Sequence, residues 1–134
     1  MFSLFRPSHF FAGLLLLAFN LIAAPQAFAH AVLLDSSPRN DALIQSMPKQ
    51  LRLQFNEPVT PVVARLLGPD GEATDLKEST EAAPELTFSL PSLTTIGSYT
   101  FSWRVVSADG HPIGGTLHFS LLNKKQQSLC GPRS

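Results

Sequence analysis

From residue 30 onward, short runs rich in β-branched and aromatic residues alternate with segments that contain Pro, Gly, Asn and Asp. Every second residue from Tyr99 to Val105 is apolar and the residues between them are polar, which predicts a strand with one buried and one solvated face. Leu117, Phe119 and Leu121 repeat this alternation. The predicted strands are 31–35, 50–56, 62–67, 85–90, 98–106 and 115–122.

The segments between these runs carry turn residues. The segment 68–71, Gly-Pro-Asp-Gly, combines the fixed φ of proline with the positive φ open to glycine, and it predicts a hairpin. Segments 37–41 and 72–84 are predicted loops, and no long helix is predicted. Six or seven short antiparallel strands predict an all-β fold, an immunoglobulin-like Greek-key sandwich or barrel of about seven strands.

Composition limits the class of protein. A chain of 134 residues, 44% of them hydrophobic, suits one domain with one core. We place that domain at 30–123, followed by a polar tail at 124–134. Lys and Arg number 10 and Asp and Glu number 10, so no basic surplus is available for binding nucleic acid. The single cysteine, Cys130, excludes an internal disulfide.

Residues 1–29 are typical of a cleaved secretory signal peptide. Arg6 precedes an apolar run, and residues 27–29, Ala-Phe-Ala, form a small-x-small cleavage site. A membrane anchor is the alternative, but Gly13 and Asn20 interrupt the run, which is short for a span of about 20 apolar residues. We therefore predict a soluble exported protein with no membrane insertion after cleavage.

Cleavage after Ala29 makes His30 the first residue of the mature protein. This residue then offers two nitrogen donors, the α-amine and imidazole Nδ1, which can close a chelate ring on a metal ion. The pKa values of these groups are ordinarily about 7.7–8.0 and about 6.5, so a divalent metal displaces their protons at neutral pH. Without further ligands, an unremarkable first residue is an equally good interpretation.

The second element is the segment 109–112, Asp-Gly-His-Pro, which follows the fifth predicted strand and lies at the rim of the fold. Gly110 permits a tight backbone path and Pro112 stiffens the exit. We therefore expect the side chains of Asp109 and His111 to converge on one point. Taken alone, an Asp-Gly pair is more typical of an ordinary turn.

Together, His30, Asp109 and His111 supply three nitrogen donors and one oxygen donor. Such donors in roughly coplanar positions suit Cu(II), which heads the affinity order of the divalent first-row metals, whereas zinc prefers a tetrahedral set and often thiolate. The sequence therefore predicts one Cu(II) per chain. His118 lies on the polar side of its predicted strand, and we interpret it as an exposed strand histidine.

Four segments resemble the CopC family of periplasmic copper-binding proteins: His30-Ala31, Ser36-Ser37-Pro38, Phe55-Asn56-Glu57-Pro58, and the run Trp-Arg-Val-Val-Ser-Ala-Asp-Gly-His-Pro from Trp103 to Pro112. They span nearly the whole mature chain. The resemblance implies a seven-stranded Greek-key fold in the periplasm, with a high-affinity Cu(II) site whose ligands match His30, Asp109 and His111. Glu57 matches an acidic position near that site, where it is either a weak outer ligand or a solvated acid.

The resemblance also bears on a second metal site and on partners. Family members with an additional Cu(I) site carry a cluster of Met and His after the third strand, because thioethers bind cuprous ion. Residues 67–74 contain no methionine and Met47 is interpreted as a packing residue, so we expect Cu(II) only. The implied partner is an inner-membrane copper transporter of the CopD type, expected as a separate polypeptide.

Three classes of function follow from these observations. The first is a copper carrier or buffer for copper homeostasis or resistance, which is not an enzyme. The second is a copper monooxygenase, since such enzymes also use an N-terminal histidine chelate, but the Asp109 carboxylate stabilises Cu(II) over Cu(I) and occupies a position that oxygen needs. The third is a metal-free adhesion or assembly module in which these residues are coincidental.

Overall fold

The computed structural model describes residues 30–77 and 80–130, and the predicted signal peptide lies outside the described residues. The strands are β1 (Leu33–Ser37), β2 (Ala42–Ile44), β3 (Gln50–Leu67), β4 (Ala73–Asp75), β5 (Ala83–Ser89), β6 (Gly97–Ser107) and β7 (Pro112–Leu121), and they are followed by a short helix, α1 (Lys124–Cys130). The predicted all-β fold of about seven strands is confirmed. Among the described residues, no helix has both the length and the apolar character needed to cross a membrane.

The strand β3 is the central strand of one curled seven-stranded sheet. Its first half pairs with β1 and β5, and its second half pairs with β4 and β6, always antiparallel. The prediction of two separate strands, 50–56 and 62–67, was wrong, because the structure has one strand of 18 residues. Pro58 and Pro61 interrupt the sequence pattern, but they lie where the ladders to β5 and β6 shift register, and a missing N–H is tolerated at such irregularities.

The alternating residues of β6 and β7 supply much of the core. The buried side chains include Tyr99, Phe101, Trp103 and Val105 from β6 and Leu117, Phe119 and Leu121 from β7. Phe101 packs edge-on against Phe88 with ring centroids 5.2 Å apart, and Tyr99 stacks on Phe119 at 5.5 Å. The predicted inward faces of both strands are confirmed.

Three short elements were not predicted. β2 pairs in parallel with β7, β4 lies inside the predicted loop 72–84, and α1 occupies part of the predicted tail. Strands of three residues are too short to show an alternating pattern, so only their partners reveal them. The predicted hairpin at 68–71 is confirmed, since β3 and β4 pair across it and Gly71 has a φ of 84°.

The strand β3 also brings two distant parts of the chain to one end of the sandwich. It pairs Phe55 with Leu33 near the N-terminus and, four residues later, Val59 with Ser107 at the end of β6. The residues that precede β1 and the turn between β6 and β7 therefore meet at the same end.

Candidate metal centre

The turn between β6 and β7 has a fixed shape. The Gly110 N–H donates to the Ser107 carbonyl at 2.9 Å, and the Ser107 N–H donates to the His111 carbonyl at 3.0 Å. Gly110 has a φ of 86°, in the left-handed region that favours glycine. This tight path brings the side chains of Asp109 and His111 into contact, as their spacing predicted.

Asp109 is held mainly through one carboxylate oxygen. Its Oδ1 accepts hydrogen bonds from the Ser107 hydroxyl and, at 3.2 Å, from the His111 N–H. The bond from Ser107, and after it those from His111, hold the pKa of Asp109 well below its usual range, because they stabilise the charged form. Asp109 is therefore an ionised oxygen donor at physiological pH.

His111 faces the second oxygen of the same carboxylate. Its Nδ1 lies 2.8 Å from Asp109 Oδ2, and the His111 side chain is 61% exposed while that of Asp109 is 20% exposed. A hydrogen bond between these two atoms requires a proton on Nδ1, so the neutral ring carries its lone pair on Nε2. The carboxylate thus orients the imidazole and leaves one ring nitrogen available to a metal ion.

His30 reaches this turn from the other end of the chain. It lies three residues before β1, and its neighbour Ala31 is buried in the core. Asn56 in β3 forms hydrogen bonds to backbone groups of both His30 and Val32. As a result, the rings of His30 and His111 meet edge to face, with centroids 5.7 Å apart and planes at 82°.

The structure brings the three predicted ligands into one group. A ligating atom from each of His30, Asp109 and His111 lies within 4.8 Å of the other two. Metal–nitrogen bonds of about 2.0–2.1 Å place ligands on opposite sides of an ion about 4 Å apart. The separations within this group are therefore close to those that one shared ion requires.

Three other residues considered in the sequence have surroundings of their own. His118 is exposed on β7, as predicted, and its Nδ1 lies 3.2 Å from Thr100 Oγ1. Met47 packs against the core, also as predicted. Glu57 is half-buried on β3 and does not belong to the group of ligating atoms.

Two residues that shape the site, Ser107 and Asn56, were not predicted to have a role. Ser107 is only 5% exposed, yet its hydroxyl donates to Asp109, and its oxygen lies 3.1 Å from the His111 carbonyl oxygen. A signal for it existed, because Ser107 continues the inward-facing alternation of β6 with a polar side chain just before the turn. Asn56 carried no such signal, since its partners, His30 and Val32, precede β1 and lie more than twenty residues away in the sequence.

This chain is similar to several proteins of known family. The CopC domain family matches residues 33–122. Copper resistance protein C of Xanthomonas campestris pv. juglandis is 33% identical over 110 residues, which cover 75% of this chain and 86% of that protein. Copper transport protein CutJ of Bacillus subtilis strain 168 is 32% identical over 114 residues, or 81% of this chain, and the match spans 21% of that longer protein.

A solved structure shows the same fold. The crystal structure of CopC from Methylosinus trichosporium OB3b superposes with a TM-score of 0.61 and 30% sequence identity, over 71% of this chain and 96% of that chain. Fold and sequence together define a copper-handling β-sandwich domain. The chain belongs to the CopC family, which confirms the resemblance seen in the sequence. Its relatives are named for copper transport and copper resistance, and its function concerns copper.

Proposed function

We propose that this chain is a periplasmic copper carrier that binds one Cu(II) ion after cleavage between Ala29 and His30. The observation that supports this most is the group formed by His30, Asp109 and His111, whose ligating atoms lie within 4.8 Å of one another at one end of the sandwich. The proposed ligands are the α-amine and imidazole of His30, the imidazole of His111 and the carboxylate of Asp109.

The donor set supports Cu(II) over other ions. Three nitrogen donors and one carboxylate oxygen match the preference of Cu(II) for nitrogen and oxygen ligands in a tetragonal arrangement. A soft ion such as Cu(I) prefers thioether or thiolate ligands, whereas the group found among the described residues consists of two histidines and one aspartate.

The site also favours holding an ion over catalysis on it. The carboxylate of Asp109 stays ionised because the Ser107 hydrogen bond lowers its pKa, and an anionic ligand stabilises Cu(II) relative to Cu(I). That preference opposes the redox cycling that an oxygenase requires. His111 is 61% exposed, so a bound ion lies at the surface, where a partner can take it. The proposed partner is a separate inner-membrane transporter of the CopD type.

The decisive experiment compares two preparations, one that begins at His30 with a free α-amine and one that is extended at this amine by an acetyl group. Acetylation converts the α-amine into an amide nitrogen, which is not basic and, with no amine before it to anchor the ion, does not complete the chelate ring. Ala31 is the first buried residue of the described chain, so an extension at the exposed end leaves the core unchanged.

We expect the form that begins at His30 to bind one equivalent of Cu(II) tightly. Its paramagnetic resonance spectrum should be axial with nitrogen hyperfine structure, and fluorescence of the single tryptophan, Trp103, should stop decreasing at one equivalent. The extended form should lose the tight site and keep only weak binding. Equal affinity and identical spectra for the two forms would refute the proposed N-terminal ligand.

A further inference from the structure

The segment 30–32 lies beyond the end of β1. The first pair of the β1–β3 ladder is Leu33 with Phe55, and the register shifts between Leu33 and Asp35. His30 itself is exposed. A chain end that extends past its ladder normally frays, so a contact outside the ladder has to hold His30 beside the β6–β7 turn.

Asn56 provides that contact through three hydrogen bonds. Its backbone N–H donates to the Val32 carbonyl at 3.1 Å. Its side-chain Oδ1 accepts from the Val32 N–H at 2.7 Å, and its Nδ2 donates to the His30 carbonyl at 3.4 Å. Both partners of the side chain are backbone groups with a single role, so the orientation of the amide is determined: its oxygen faces the N–H and its nitrogen faces the carbonyl.

The β1–β3 ladder does not extend to residues 30–32, and there the side-chain amide of Asn56 takes the place of a peptide group. An antiparallel ladder continues by offering one N–H and one C=O to the neighbouring strand, and this amide offers both on either side of Ala31. Ala31 is 5% exposed and is therefore fixed by packing at the same point. Together, one buried methyl group and one amide fix the backbone next to His30.

We propose that Asn56 is a positioning residue for the N-terminal metal ligand. Holding the His30 carbonyl holds its Cα, from which both the α-amine and the imidazole extend. The copper-free protein then already has its N-terminal ligand beside Asp109 and His111, and metal binding does not bear the entropic cost of ordering the segment. This inference rests on the proposed Cu(II) site and adds to it a residue that is not itself a ligand.

The test uses Asn56→Ala in the chain that begins at His30. The substitution removes both side-chain bonds and keeps the backbone bond to Val32. We expect Cu(II) affinity, measured by competition titration, to fall about 10–100-fold, the range typical when a partner that orients a metal ligand is lost. The spectrum of the saturated protein should stay the same, because the ligands are unchanged.

Asn40→Ala is the matched control. Asn40 Oδ1 accepts a hydrogen bond of 2.9 Å from the backbone N–H of His118, so this asparagine also joins distant segments through its side chain, but away from the metal group. We expect its Cu(II) affinity to match that of the parent protein. Hydrogen exchange at the Val32 amide of the copper-free protein should accelerate in Asn56→Ala and not in Asn40→Ala.

A double-mutant cycle with the acetyl-extended form separates positioning from a general structural effect. Asn56 is proposed to position the chelate ring formed by the α-amine and imidazole of His30, and the extended form has no such ring. Asn56→Ala should therefore change the weak residual Cu(II) affinity of the extended form by less than about twofold. Equal losses in both forms, or parent-like affinity of Asn56→Ala beginning at His30, would overturn the role of Asn56. A parent protein that binds no better than its extended form would instead overturn the copper site itself.

Discussion

The two ends of strand β6 belong to the same sandwich but are surrounded by different chemical groups. At one end, nitrogen and oxygen donors from His30, Asp109 and His111 converge. At the other end, the turn 68–71 and the segment 91–95 border a cavity of about 240 Å³, whose lining residues include no His, Cys or Met. The first end suits a metal ion, whereas the second offers only apolar groups and oxygen atoms.

Both ends use a hydroxyl group of β6 to hold a loop, but the hydroxyls act on different partners. Tyr99 donates to the Thr95 carbonyl at 2.6 Å, and burial raises the pKa of Tyr99, which keeps this donor protonated. Ser107 donates to the ionised carboxylate of Asp109. The tyrosine therefore closes a loop, while the serine holds a charge. The comparison teaches that the sandwich supplies rigid strand ends and that the loop residues decide the chemistry.

The largest expected effect separates the two exposed histidines. His111→Ala removes a proposed ligand and should weaken Cu(II) binding by orders of magnitude without loss of the fold, because the residue lies in a rim turn. His118→Ala should leave affinity unchanged, since His118 lies on β7 beside Thr100. Calorimetric or competition titration of both variants tests this, and equal losses would show that the ligand assignment is wrong.

A smaller effect is expected from Ser107→Ala, which removes the hydroxyl bond to Asp109 but keeps the backbone bond from Ser107 N–H to the His111 carbonyl. The carboxylate loses its main support, so we expect Cu(II) affinity to fall about 10–100-fold. The same titration measures it. Unchanged affinity would mean that the turn backbone alone places the carboxylate.

A substitution at the opposite end of β6 should change the free energy of unfolding and leave Cu(II) affinity unchanged. Tyr99→Phe keeps the ring that stacks on Phe119 and removes the hydroxyl bond to the Thr95 carbonyl. The expected loss is about 0.5–1.5 kcal/mol in the free energy of unfolding, measured by denaturant titration of the copper-free protein. Cu(II) affinity should match that of the parent protein, and a drop in affinity would show that the two ends are coupled.

The smallest expected difference concerns pH. The pKa of Asp109 in the folded protein is lowered from its usual 3.8. The charged carboxylate therefore stabilises the turn fully above about pH 3.8, and this stabilisation is lost as the pH falls toward the lower pKa of the folded protein. From about pH 5 upward Asp109 therefore takes up no proton, and any loss of Cu(II) affinity on acidification in that range arises at the other proposed ligands.

Asp109→Asn tests this assignment. The variant should bind Cu(II) more weakly at every pH, yet the slope of log affinity against pH between about pH 5 and pH 6 should equal that of the parent protein, because the carboxylate does not titrate there. Competition titrations at several pH values measure both slopes. A shallower slope in the variant would show that Asp109 takes up a proton in this range.

Much of the fold was predictable because its signals are local. The alternation of apolar and polar residues in β6 and β7 by itself shows which face of each strand is buried. The turn at 68–71 is likewise specified by the glycine and proline that it contains. The continuity of β3 was not predictable, since Pro58 and Pro61 are compatible with a strand only where neighbouring ladders shift register. β2 and β4 exist because β7 and β3 pair with them.

The same distinction between local and tertiary signals applies to the candidate metal site. By itself the sequence determined the donor types and the contact of Asp109 with His111, because these depend on residue identity and on a tight turn around Gly110, and it predicted a cleavage that would expose an amine on His30. Only the tertiary structure decided that His30 meets that turn, because the register of β3 sets the distance between segments almost eighty residues apart. It also decided the roles of Ser107 and Asn56, whose hydrogen bonds depend on backbone positions that a sequence pattern does not encode.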